Sequence, residues 1–174
     1  MLKLNRFFQS RAPATDPLRD FYVRLVAEAR DPAWYRAGVP DTVDGRFDAL
    51  ATVLTVALLR LEEQGTSEAK RANVRLTELF IDNMDAELRQ LGTGDMVVGK
   101  RIGKLVGQLG GRLGAFRDAW GGAAPLGPVI ARNMLRDESA GPERTGPLEA
   151  KLNMLRERLG RTDYASLVKG DIAP

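Results

Sequence analysis

The chain has 174 residues, enough for one domain with a sizeable core and short for two. It contains neither cysteine nor histidine, which excludes disulfides and thiolate metal sites and removes the commonest general base and metal ligand. The formal net charge is +3, but residues 1–90 carry 13 Lys/Arg against 14 Asp/Glu while residues 91–174 carry 13 against 9, so the second half suits an anionic partner or attracts the first.

The first residues, "MLKLNRFFQSR", mix Leu2, Leu4, Phe7 and Phe8 with Lys3, Arg6 and Arg11. They lack the continuous apolar region of a signal peptide, and read either as a segment resting on a membrane surface or as a terminal turn on the core. Asp16 followed by Pro17 is a cap-then-proline helix start. That helix is predicted to reach about Arg30, with Leu18, Phe21, Tyr22, Leu25 and Val26 on one face. Asp31 to Gly45 is rich in Pro, Gly and Asp and reads as a structured loop. A strongly apolar helix follows from Arg46 to Gln64; its uncharged stretch, Ala49 to Leu59, is eleven residues, well short of the ~20 needed to span a membrane. Gly65 ends it, and Thr66 caps a third helix running to about Leu91 with Leu76, Phe80, Met84 and Leu88 inward and Gly92 as its stop.

Asp95 is placed to cap a fourth helix reaching about Trp120, which the stretch Gly121 to Pro128 breaks. Two shorter helices are predicted near Val129–Arg136 and Leu148–Leu159, separated by the loose "DESAGPERTGP". The reading is all-α: a single compact, helical-bundle-like domain with a less ordered C-terminal helical appendage. Its expected parts are a basic/apolar segment at 1–15, the domain at 16–137, and a linker with the appendage at 138–174.

"GDMVVGKR" (Gly94 to Arg101) matches seven of the eight positions of the phosphate-binding pattern G-x-x-x-x-G-K-[ST]. The match carries no nucleotide site. A strand must precede such a loop, and here an amphipathic helix does. The last position needs a hydroxyl for magnesium, and Arg101 offers none. On a helical wheel Val98, Ile102, Leu105, Leu109, Leu113, Phe116 and Trp120 make one core stripe. Lys100, Arg101, Lys104 and Arg112 fall on a flanking arc, and Gly99, Gly103, Gly107, Gly111 and Gly114 on a third. Each helical glycine costs ~1 kcal/mol relative to alanine. The row therefore implies either close approach of a neighbouring helix of the same domain or a smooth groove for a partner, with Gly103 and Gly107 at its centre.

Two D-x-x-D patterns occur, Asp41/Asp44 in the loop and Asp82/Asp85 on the third helix. Carboxylates at that spacing share a helix face and can hold magnesium, which gives an alternative function: a metal-dependent all-α enzyme acting on a diphosphate. The plainer reading is ion pairing, with Arg89 four residues after Asp85, and Arg46 pairing Asp44 or an acid of the third helix. No metal site and no cofactor is assigned.

In order, "VPDTVDGRFDAL" (Val39 to Leu50), "LLRLEEQG" (Leu58 to Gly65), "LFIDNMDAELRQLGTGDMVVGKRI" (Leu79 to Ile102), "GGRLGAF" (Gly110 to Phe116) and "ARNM" (Ala131 to Met134) resemble the ubiquinol–cytochrome c chaperone family, over about Trp34 to Arg136. The family signature falls on Asp41, Asp44, Gly45, Arg46, Phe47, Arg60, Asp82, Asp85, Leu88, Arg89, Gly92, Asp95, Gly99, Lys100, Gly111 and Arg112. The resemblance implies a non-enzymatic assembly factor for respiratory complex III, the ubiquinol–cytochrome c reductase. Mitochondrial members bind newly made cytochrome b near the ribosomal tunnel exit, together with a small partner protein. Early acids, Asp16 and Asp20, argue against a mitochondrial transit segment, so a bacterial, cytoplasmic member is expected, peripheral on the inner face of the membrane. Its expected partners are cytochrome b, the ribosome or a small protein, and an anionic lipid surface, but no DNA.

Overall fold

The computed structural model describes residues 16–90 and 95–173, with side chains throughout except at residues 17 and 95–97. The elements are α1 (Pro17–Ala29), α2 (Pro32–Arg36), α3 (Val43–Gln64), α4 (Ser67–Gln90), α5 (Asp95–Trp120), α6 (Leu126–Ile130) running into a π-helical turn (Ala131–Leu135), α7 (Pro142–Arg161) and α8 (Tyr164–Val168). Among the described residues all regular structure is helical, as the periodicity requires. Residues 1–15 and the Gly92 stop lie outside what is described, as does the Asp95 side chain expected to cap α5.

α3 is the axis of the fold. Every residue from Asp48 to Leu59 is buried, because this helix is apolar all round rather than on one stripe. It packs against α1, α4, α5, α7 and the π-helical turn. Burying side chains such as Leu54 and Leu58, both 0 % exposed, contributes about 1.5–3 kcal/mol each. The caps read from sequence form. Asp16 Oδ1 accepts from the Leu18 amide at 3.1 Å and Thr66 Oγ1 from the Ala69 amide at 3.1 Å, while Gly65 ends α3 at φ +69°.

Two stretches are more ordered than the sequence suggests. The Asp31–Gly45 loop contains α2, started by a second Asp-Pro pair in which Asp31 Oδ1 accepts from the Ala33 amide at 2.9 Å. This turn seats Trp34 in the core at 0 % exposure, its indole N–H donating to the Glu28 carbonyl at 2.9 Å. α3 then starts at Val43 rather than Arg46, with Thr42 Oγ1 accepting from the Gly45 amide at 3.1 Å. A Cβ at Gly45 would lie 1.9 Å from the Pro40 carbonyl oxygen, so only glycine permits the chain to fold back this tightly.

The C-terminal stretch is the larger difference. What was expected as a loosely held appendage is a 20-residue helix whose Leu148, Leu152, Leu155 and Leu159 are all buried in the common core. α7 begins inside "DESAGPERTGP" because Pro142 occupies the first helical position, where no N–H is needed. Arg60 of α3 caps its far end, Nε donating to the Leu159 carbonyl at 3.0 Å and Nη2 to the Gly160 carbonyl at 3.3 Å.

α5 is held on one side by its core stripe: Val98, Leu109 and Phe116 are buried, and Ile102, Leu105, Leu113 and Trp120 pack partly buried. The same side holds an ion pair that overturns one expectation. Arg112, read as part of the basic arc, is 5 % exposed and points into the protein. Nη2 donates to Asp48 Oδ1 at 2.8 Å, and Nη1 donates to the Asp48 carbonyl at 2.6 Å and to Thr52 Oγ1 at 2.7 Å. Arg136, just past the π-helical turn and at φ +53°, donates through Nε to Asp48 Oδ2 at 2.6 Å and through Nη1 to Asp44 Oδ2 at 2.9 Å. On the wheel Arg112 borders the core stripe beside Leu105, and the buried carboxylate of α3 draws it inward.

Two outcomes follow for stability. Leu155→Ala should lower the unfolding free energy by about 2–5 kcal/mol, measured by urea denaturation; a loss under half of that would mean α7 is peripheral after all. Arg112→Ala should cost about 3–5 kcal/mol, since it leaves Asp48 buried with half its partners, whereas Arg112→Met with Asp48→Leu should recover much of the loss.

Candidate interaction face

The outward side of α5 carries the remaining residues singled out in the sequence. Lys100, Arg101 and Lys104 are exposed and make no ion pair with another described residue. The helix has no Asp or Glu between Val98 and Arg117, and Arg117 is already engaged by Glu62 at 2.8 Å. Beside the cations run Gly99, Gly103, Gly107, Gly110 and Gly111, all exposed, and Gly114, half-buried. Of the two readings of this row, internal packing is not what the fold uses. A Cβ at Gly99, Gly103, Gly107, Gly110, Gly111 or Gly114 would meet no described atom within 4 Å. Val106, 41 % exposed, borders the strip.

The acidic constellations resolve mostly into ion pairs. Arg46 pairs with a carboxylate, but with Asp41 at 2.7 Å rather than Asp44 or an acid of α4. Both side chains are more than half exposed, so this bridge stabilises little. Asp44 belongs to Arg136 instead, because Arg46 turns back over the loop while Asp44 faces the π-helical turn. Asp85 and Arg89 form the expected pair at 2.6 Å. Asp82 is exposed and has no ion-pair partner among the described residues. Three of the four D-x-x-D carboxylates are therefore occupied by arginines. Among the described residues no group of three or more acids is arranged to hold a metal ion.

Sequence reasoning missed Asp48, Thr52 and Arg136. The signal was present: a carboxylate and a hydroxyl four residues apart on an otherwise apolar helix require a buried cation. Much of the signature is structural. Gly45 closes a turn, Phe47 packs at a tilt against Phe80 with ring centres 6.0 Å apart, Arg60 caps α7, and Arg112 fills the core ion pair. Gly99, Lys100 and Gly111 stay on the surface. The outer side of α5 thus carries exposed cations beside exposed glycines.

Comparison with known proteins agrees with this architecture. The model of the family "Ubiquinol-cytochrome C chaperone" matches residues 36–173, which takes in α7 and α8 as well as the motifs of α3, α4 and α5. The crystal structure of the Cbp3 homolog from Brucella abortus superposes with a TM-score of 0.77 at 29 % identity, covering 90 % of this chain and 87 % of that one. No curated protein sequence matches. With four-fifths of its length matched and the same all-α fold, the chain belongs to the ubiquinol–cytochrome c chaperone family.

Proposed function

We propose that this protein is a non-enzymatic assembly chaperone for complex III that holds newly made cytochrome b, and that the outer face of α5 is where the client sits. Family membership supports the assembly role. The observation that carries the site is the uncovered glycine strip of α5. A helix with glycine at 99, 103, 107 and 111 forfeits ~1 kcal/mol at each, and nothing among the described residues fills the space thus opened. Small residues four apart let another helix approach closely, which is how transmembrane helices pack on one another. A transmembrane segment of the client, held before insertion, has the shape and apolarity for this strip. Lys100, Arg101 and Lys104 then face an anionic surface beside it. No helix among the described residues is long and apolar enough to cross a membrane, so the chaperone meets its client from the side of the bilayer. The ribosomal tunnel exit and a small partner protein are further proposed contacts, as in the family.

The strip separates binding from stability. Gly103→Leu with Gly107→Leu should cut co-purification of cytochrome b at least tenfold without lowering the melting temperature, because both positions open to solvent and leucine is the better helix former. Gly103→Ala with Gly107→Ala should raise stability by about 1 kcal/mol per site. A leucine variant that melts several degrees lower, or that captures client normally, would retire the strip as the client site.

A further inference from the structure

We infer that the basic arc of α5 is a docking surface for an anionic lipid bilayer, with Lys100, Arg101 and Lys104 seated among the headgroups. The cations lie within a turn and a half of helix, exposed, and unpaired among the described residues. Elsewhere acids are committed to arginines: Glu68 to Arg71, Glu78 to Arg75, Glu62 to Arg117. On the outer side of α5 no acid intervenes before Asp118, so the arc keeps its full charge for a partner. Such a patch is complementary to a surface of phosphate groups.

Lipid fits this face better than nucleic acid. Its aromatic residues, Phe116 and Trp120, are turned toward the core, so no ring is offered for base stacking. Gln108 is the one side-chain amide on the outer side between Gly99 and Arg117. Three cations give a modest attraction that salt screens. The inference deepens the proposed function, since it rests on a membrane-embedded client for its purpose; its test uses no client, so the two readings fail separately.

The test is co-sedimentation of the full chain with vesicles of phosphatidylcholine alone or mixed with phosphatidylglycerol, at low and raised salt. Binding should require phosphatidylglycerol, fall steeply with salt, and drop on the order of a hundredfold in K100E/R101E/K104E. Helicity of the variant should be unchanged, because all three side chains are exposed; if the glutamate variant loses helicity, K100Q/R101Q/K104Q replaces it with the same direction expected. A double-stranded RNA oligomer runs in parallel. Vesicle binding indifferent to headgroup charge, binding undiminished in the folded variant, or RNA bound in preference to anionic vesicles would each overturn the inference. Loss of vesicle binding with retained cytochrome b capture would place lipid and client on separable parts of α5.

Discussion

The arrangement depends on one carboxylate. Asp48 sits on the most buried helix of the protein and is closed in by two arginines that arrive from elements 64 and 88 residues away in sequence. Burying an ion pair costs several kcal/mol in lost hydration, and the return comes only when nearly every donor and acceptor is satisfied. Here both Asp48 oxygens and its carbonyl are used, along with Thr52 Oγ1, while Arg112 Nε alone is left without a partner. Desolvation pushes the Arg112 pKa down, and the adjacent Asp48 charge works against it.

The pair also sets direction. A helix that packs through Val98, Leu109 and Phe116 alone has some freedom to roll, since greasy contacts are not directional. Fixing Arg112 by three hydrogen bonds into α3 removes that freedom. With Arg112 turned inward, Lys100 and Lys104 must point out, and the glycine strip with them. Arg136 extends the same constraint to the π-helical turn, whose end it holds in the left-handed region. One buried carboxylate thus registers α3, α5 and the segment after α6.

The rest of the molecule offsets what α5 gives up. Its glycines weaken the helix by roughly 1 kcal/mol each, and that deficit is met by the core stripe, by Trp120, and by α7. The Trp120 indole N–H donates to Asn153 at 3.1 Å, and the Arg156 guanidinium lies 5.3 Å from its ring. α7 in turn is joined to α1 and α2 through Arg158–Glu28 and Lys151–Asp31. The family match, extending to residue 173, is consistent with α7 being integral to that scaffold.

Much was legible from the sequence because it depended on local chemistry. The Asp-Pro helix start, the Gly65 stop, the Thr66 cap, the core stripe of α5 and the i,i+4 pair Asp85–Arg89 are all decided within a few residues, so periodicity and side-chain type suffice. The failed phosphate-loop match was legible for the same reason: Asp95 to Arg101 of the match are helical. Tertiary structure alone decided the rest. Whether Arg112 faced solvent or core turned on Asp48, 64 positions away. Whether glycines at 103 and 107 were packed or bare turned on where every other helix lay. Whether α7 was appendage or core turned on α3 and α6 having apolar faces left to cover. Those outcomes are set by pairwise complementarity between distant surfaces, and no single stretch of chain contains both surfaces.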